Sequence, residues 1–471
     1  MTTDTGHNRT IAEMDMDRVL HPVSSIHDVL TNGPTVITGA HGITVTDSEG
    51  RDYLDCGAGL WCANIGYGNP EIGETAKKAM DQLSYFHMFA GHANEPIARL
   101  ADQVLDLFHT HTPATHLSKV FFGQSGSDAN DTHYKLIKYY NNLRGKPHKK
   151  KMIAREGGYH GLTHAATGLT GIPGYHKAFD APGNDIIHAL CPHYYRYHED
   201  GESEEAYCDR LIADLEDIIE REGADTIAAF FAEPVMGTGG VFLPPKGYFQ
   251  KVQALLKKHD ILFVADEVIT GFGRLGSWFA AGHYGFAPDM VTLAKGITSA
   301  YFPLSASVIS EDMWQVLKDA SPEIGPMMHG YTYTGHPVGG AIALKNLEIL
   351  ERDGLIARAA DTGPYLLNRL KEAAEDFPYV GDVRGEGMMA GVEYMLDPAA
   401  RIPFPKGSGP HKIVSAHARK HGLLSRALPH LEVMAFSPPL CMTRDEADEA
   451  ANRFRDALAA ARPELDTLAR H

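Results

Sequence analysis

The stretch DMVTLAKGITSAYFPLSA (Asp289–Ala306) consists mainly of apolar and small residues and holds one lysine at its middle, Lys295. A lysine in such a setting has two readings. It can lay its stem along apolar surface and keep the ammonium in water. Or it can be a desolvated amine, nucleophilic and easily deprotonated. A second stretch, ILFVADEVITGFGRLG, closes an apolar run on Asp266 and Glu267. A carboxylate at a buried strand end requires a partner. A protonated ring nitrogen of a cofactor would serve, and so would an arginine such as Arg274. In a third stretch, FFGQSGSDANDTHYKLIKYY, an apolar strand runs into Gly-Gln-Ser-Gly-Ser and a helix opens at about Ser127. The glycines allow close backbone approach, and serines beside free helix N–H groups suit an anion, phosphate above all. Plain N-capping by Ser127 accounts for the same residues. No Gly-Lys-Ser/Thr follows, so this is not a P-loop.

Lys295 follows Asp266 by about one strand–helix–strand step. That spacing can bring both side chains to neighbouring strand ends on one rim. A phosphate cradle, a buried carboxylate and a lysine in apolar surroundings together describe a pyridoxal phosphate (PLP) site. There the lysine holds the cofactor as a Schiff base and the aspartate keeps its ring nitrogen protonated.

Such a constellation needs a rigid frame. From about residue 119 to 310 short apolar runs (KVFFG, KKMIAR, TIAAFFAEPV, ILFVADEVI, MVTLAK, LSASVIS) alternate with amphipathic helices such as DANDTHYKLIKYYNN and YCDRLIADLEDIIE. This texture predicts a buried, mostly parallel α/β sheet with its ligand at the carboxyl ends of the strands. Before it come a loose or helical lead to about residue 35 and a hairpin over Gly42–Cys56 turning at Ser48-Glu49-Gly50. Helix is expected over about 70–110, with the apolar positions of IARLADQVLDLF at helical spacing. From about residue 340, helices and then strands such as MMAGVEYM and HLEVMAFSPP predict a smaller α+β domain.

Length, charge and cysteines bound the function. A chain of 471 residues is long enough for a large and a small domain. A net charge of −17 disfavours nucleic acid or an anionic membrane as partner. The opening MTTDTGHNRT is polar, so no signal peptide is expected, and no run approaches the ~20 apolar residues of a membrane span. Cys56, Cys62, Cys191, Cys208 and Cys441 are scattered and odd in number, which fits reduced thiols in a cytoplasm.

The motifs LWCANIGYG, GQSGSDA, YHG, AEPVMGTGGVFLPP, ADEVITGFGRLG, LAKGITSAYFPLSA, YTYTGHPV and GLLSRAL occur in this order, between HPVSS near Val23 and PPLCMTRDEAD near Asp445. In this the chain resembles the class III (ω-amino acid:pyruvate or amine) aminotransferases of PLP fold type I. The resemblance implies a large domain with a mostly parallel seven-stranded sheet flanked by helices, and a small α+β domain from the N- and C-terminal parts. The divisions would be 1–70 for the N-terminal part of the small domain, 71–335 for the large domain and 336–471 for the C-terminal part. Lys295 would carry the cofactor and shuttle the proton, and Asp266 would pair with the pyridine nitrogen. Val268 and Tyr159 would cover the ring faces, with His160 and Glu233 supporting the same region. Ser125, Gly126 and Ser127 would hold the phosphate. Thr332 would reach the phosphate from a partner subunit, so the sites would be shared in a homodimer or a tetramer. Trp61 and aromatics near Phe86 and Phe89 would wall the substrate pocket, and Arg426 would clamp a carboxylate.

Three positions depart from the family's usual residues. Asp128 replaces a glutamate, Met236 replaces a glutamine and makes the pocket less polar, and Ile269 stands where relatives using 2-oxoglutarate commonly have glutamine. The last points toward pyruvate as acceptor. The expected activity is ping-pong transfer of an amino group from a primary amine or ω-amino acid to pyruvate. A PLP decarboxylase or aminomutase on the same scaffold is the alternative, followed by a non-enzymatic PLP-binding protein and a structural protein without cofactor. His109, His111 and His116 match no standard zinc spacing, so no metal is expected. KPHKKK (Lys146–Lys151) is expected to be a solvated loop, GTGG lacks dinucleotide spacing, and HEDGESEEAYCDR reads as an acidic loop leading into a helix.

Overall fold

The computed structural model describes residues 9–470 except 182 and 184. Of the polar opening stretch, residues 1–8 therefore lie outside the described residues. The lead is helical, with helices Ile11–Arg18 and Ile26–Asn32.

Three sheets follow. Strands β1 (Ile37–His41), β2 (Thr44–Asp47) and β3 (Asp52–Asp55) form an antiparallel set that includes the expected hairpin. Strands β4 (Leu117–Gly123), β5 (Lys151–Arg155), β6 (Ile186–Ala189), β7 (Ile227–Ala232), β8 (Leu262–Asp266), β9 (Met290–Leu293) and β10 (Ser305–Ser310) form the seven-stranded sheet, in the order β4-β10-β9-β8-β7-β5-β6. β10 runs antiparallel to β4 and β9, and the other pairs are parallel. β6 belongs to no run singled out in the sequence: it is an edge strand, half-buried and interrupted by His188, so it leaves no continuous apolar run. β11 (Val380–Glu386), β12 (Met389–Tyr394), β14 (Arg426–Ala427) and β15 (Val433–Phe436) make the third sheet. β13 (Leu423–Leu424) crosses back to pair in parallel with β3, so the C-terminal part completes the N-terminal sheet.

The central strands show why their sequences read as continuous apolar runs. Phe230, Ala232, Phe263 and Ala265 pack on one face of the sheet with the helices Glu204–Glu222 and Tyr248–Lys258. Their chain neighbours Ala229, Phe231 and Val264 pack on the other, against the helix Gly126–Leu143. Period-two alternation with both faces covered makes every residue of β7 apolar and buried.

Several loops are better anchored than their sequences suggest. In KPHKKK, Lys149 is buried and donates from Nζ to the carbonyls of Ala224 (2.9 Å) and His259 (3.1 Å), while Lys146 pairs with Asp260 at 2.7 Å. Lys146, Pro147 and His148 are exposed, as a solvated loop would be, but Lys149 clasps two strand connections, and the solvated reading is corrected for that residue. His109 contacts the carbonyl of Leu117 at 2.7 Å and the ring of His111 stacks on Trp278. Ser203 caps the helix after the acidic loop, with Glu204 and Glu205 in its first turn. Among the described residues no helix is long and apolar enough to cross a membrane.

Candidate active site

β4, β5, β7, β8 and β9 all end at one rim of the seven-stranded sheet, and a cleft of about 430 Å³ opens there. Asp266 is the last residue of β8, and Lys295 follows the end of β9 by two residues. The connection between them is mostly turns and a five-residue helix, Ala280–Tyr284, rather than a long crossover helix. Glu267 pins that helix. Its carboxylate accepts the N–H groups of Ala280 and Ala281 (2.8 Å each) and the hydroxyl of Thr270 (2.9 Å), and burial pushes its carboxyl up to about 7. Arg274, the alternative partner for this carboxylate pair, is turned away. It is buried against the carbonyl of Ser437 (3.1 Å) and the side chain of Asn64 (2.6 Å).

Lys295 adopts a left-handed backbone (φ 46°), as do Ser299 and Ala300 just after it. A side chain with a Cβ resists this conformation by ~1–2 kcal/mol, and such strain concentrates at working sites. Burial pushes its ammonium below the ordinary lysine range, and the guanidinium of Arg426 pushes the same way. Burial thus disfavours the charged form, and the snorkelling reading is set aside.

Asp266 is buried and, among the described residues, has no arginine or lysine partner. Its Oδ2 meets Asn130 Nδ2 and His160 Nδ1, both at 2.8 Å, and its Oδ1 takes the N–H of Val268 at 3.1 Å. Glu233, directly after β7, accepts the N–H of Tyr159 (2.8 Å) and of Gly237 (3.0 Å), so GTGG is a short buried turn that fixes this carboxylate. Burial pushes the Glu233 carboxyl above its ordinary range.

The helix after β4 begins one residue earlier than expected. Ser125 is its N-cap, with its Oγ accepting the N–H of Asp128 (3.1 Å) and Asp128 accepting the N–H of Ser125 (2.9 Å). Asp128 thus completes a capping box as a glutamate would. Ser127 is inside the first turn, its Oγ holding the N–H of Leu162 at 3.2 Å. The first-turn N–H groups have no carbonyl within the helix to reach, and they border the cleft.

The cleft brings together Ser125, Gly126, Ser127, Tyr159, His160, Glu233, Asp266, Val268, Lys295 and Arg426. It leaves out Trp61, Phe86, Phe89 and Thr332. Trp61 is buried (1% exposed) behind Ile269, whereas its neighbour Leu60 is 53% exposed and lines the cleft. Left-handed residues at Gly59 (φ 63°) and Trp61 (φ 64°) roll the indole inward, a turn that residue type does not announce. Phe89 and Phe86 are exposed on the link between the helices Pro70–Leu83 and Glu95–His111. Thr332 is exposed nearby, its carbonyl accepting the Tyr85 hydroxyl at 2.6 Å. Met236 does not line the cleft either. It packs with Cys191 and Phe242, so it does not set the pocket's polarity. Gln124 and Thr238 line the cleft without having been singled out, and Asn130 stands behind it.

These residues fit PLP. Gln124 Nε2 is a buried donor in the cleft wall with no partner among the described residues. A Cβ on Gly126 would come within 2.9 Å of Val268 Cγ2, so only glycine keeps the space between helix start and strand end open. An amine, a carboxylate and a helix N-terminus around one pocket are the donor set the cofactor requires.

Comparison with known proteins agrees. The Aminotransferase class-III family model matches residues 27–458. A diaminobutyrate–2-oxoglutarate transaminase of Halomonas elongata is 46% identical over 432 residues, covering 90% of this chain and 91% of that protein. A chloroplastic gamma aminobutyrate transaminase 3 of Solanum lycopersicum is 43% identical over 425 residues, covering 90% of this chain and 80% of that one. The omega transaminase from Pseudomonas jessenii in complex with PMP superposes with a TM-score of 0.94 at 39% identity, covering 97% and 99% of the two chains. The chain belongs to the class III aminotransferases, PLP-dependent enzymes of fold type I.

Proposed function

We propose that this transaminase moves an amino group from a primary amine or ω-amino acid to pyruvate, releasing the donor as a carbonyl compound before the keto acid binds. Bound in the cleft, PLP supplies an electrophilic carbonyl carbon and a protonated ring that withdraws electrons. Lys295 Nζ anchors it. When displaced by the donor amine, the neutral Nζ takes the proton from the donor's amino-bearing carbon. Asp266 would hold the ring N–H, and Oδ1, with one protein partner against two on Oδ2, is the oxygen free for it. Ser125, Gly126 and Ser127 hold the phosphate at the helix start. Val268 and Tyr159 cover the ring and keep water out, and Glu233 steadies Tyr159 through its backbone. Exposed Phe89 and Thr332 serve the site of a partner subunit, and Trp61 backs the pocket through Ile269.

One observation carries the choice of acceptor. Among the described residues that line the cleft, Arg426 is the only cation besides Lys295, and Ile269 adds an apolar side chain. One guanidinium matches the single carboxylate of pyruvate, whereas the second carboxylate of 2-oxoglutarate would need another partner. The 46% identical Halomonas relative, named for 2-oxoglutarate, favours that acid as the second reading.

The test is the visible absorbance of the loaded enzyme. An amine donor alone should bleach it, and pyruvate should restore it at least tenfold faster than 2-oxoglutarate. Faster recovery with 2-oxoglutarate gives the acceptor to the second reading. Release of CO₂, or turnover without any keto acid, replaces transamination with decarboxylation or mutation of the amine.

A further inference from the structure

Asn130 lies inside the helix Gly126–Leu143 and is fully buried. An amide there destabilises the fold unless its polar atoms are bonded. Nδ2 donates to Asp266 Oδ2 (2.8 Å) and to the carbonyl of His160 (2.7 Å), and Oδ1 accepts the hydroxyl of Thr292 (2.8 Å). A carboxylate and a backbone carbonyl can only accept, so the atom between them is the NH₂ group and the amide has one orientation. Asn130 therefore ties its helix to the end of β8, to β9 through Thr292 and to the loop after β5. A leucine or alanine would suit the helix but would leave the His160 carbonyl and the Thr292 hydroxyl without this partner. What only an amide does here is donate to Asp266 from behind.

With Asn130 and His160 both on Oδ2, the carboxylate cannot rotate without losing two hydrogen bonds. Oδ1 is left with the Val268 N–H alone, and Asp266 lines the cleft. We propose that Asn130 is a positioning residue for the cofactor, holding Asp266 so that Oδ1 and its negative charge meet the ring nitrogen. This rests on the reading of Asp266 as the ring nitrogen's partner.

The test measures binding, without turnover. Cofactor-free enzyme is titrated with PLP and with the analogue whose ring nitrogen is replaced by carbon, using equilibrium dialysis. The wild type should bind PLP at least tenfold more tightly than the analogue. Loss of a hydrogen bond to a charged group should make Asn130→Ala narrow that ratio about tenfold. Thr292→Val removes only the hydroxyl that orients the amide and should narrow it several-fold. Asn130→Ala decides where it folds, and Thr292→Val decides where it does not. If the deciding variant weakens both ligands alike and keeps the wild-type ratio, Asn130 only packs and the proposal is overturned. If the wild type itself does not distinguish the two ligands, Asp266 does not meet the ring nitrogen and the reading beneath falls with it.

Discussion

Asp266 and Glu393 are both buried carboxylates bonded to a histidine, and their surroundings differ in one respect. Glu393 is ringed by charge. His193 meets it at 2.7 Å, Arg384 at 2.8 Å and Arg196 at 2.9 Å. Burial alone would raise its carboxyl, but Arg384, His193 and Arg196 overcome that and bring it down to about 2. Asp266 has a histidine, an amide and a backbone N–H, but no arginine. The Glu393 cluster joins β11 and β12 to the segment around the helix Tyr194–Tyr197, and Arg384 also holds the carbonyl of Val241 at 3.0 Å. A carboxylate that holds parts together is neutralised completely. One that is to receive a ligand keeps a place open, at a cost in burial that the bound ligand offsets.

The difference predicts which substitutions remove activity and which remove stability. Lys295→Ala should lower amino transfer on the order of 10⁴-fold, since it deletes both anchor and base. Its melting temperature should hold or rise, because a desolvated amine is gone; calorimetry of the cofactor-free protein reads this. Asp266→Asn should lower the rate of the amine half-reaction on the order of 10²–10³-fold by removing a fixed charge. Unfolding by urea should barely change. If Asp266→Asn unfolds as readily as a Glu393 variant, the contrast between the two carboxylates is wrong.

Glu393→Gln should do the reverse. It removes the buried anion that Arg384 and Arg196 share, leaving them Asp382 and Glu432, and should lower the unfolding free energy by about 3 kcal/mol, with the rate per folded molecule within a few-fold of wild type. The pH dependence has a definite sign. The Glu393 carboxyl sits at about 2 in the fold against an ordinary 4.5, so its contribution is full above the ordinary value and is lost as pH falls toward 2. Acid titration of wild type against Glu393→Gln should show the stability gap closing through that window. A gap that stays constant would mean that Glu393 contributes packing rather than charge. The smallest effect belongs to the rim of the cleft. Arg426→Ala should raise KM for pyruvate about 10–100-fold and leave KM for uncharged amines nearly unchanged. An equal rise for both would remove the carboxylate clamp.

Legibility in the sequence followed the range of the interactions. The strands β4, β5, β7, β8, β9 and β10 were visible as apolar runs, because burial on both faces leaves a local mark on composition. β6, an edge strand that is only half-buried and carries His188, left none. Lys295, Asp266 and the Gly-Ser turn were readable because each breaks the texture around it. The cap was misplaced by two residues, since both serines satisfy the same rule and only the Ser125–Asp128 exchange distinguishes them. Lys149 looked like part of a solvated run because its two carbonyl partners lie far along the chain.

The sequence alone determined the class of elements, the cofactor and the residues expected to handle it, because strand periodicity, capping chemistry and a lysine among small residues are short-range signals. Tertiary structure decided what points where. It turned Trp61 out of the cleft and Leu60 into it through a left-handed turn, and it set Phe89 and Thr332 on an outer surface. It also placed Asn130 against Asp266, 136 residues away. A hydrogen bond across that distance is made only when the helix, two strands and a loop have packed, and nothing in the residues around Asn130 records it.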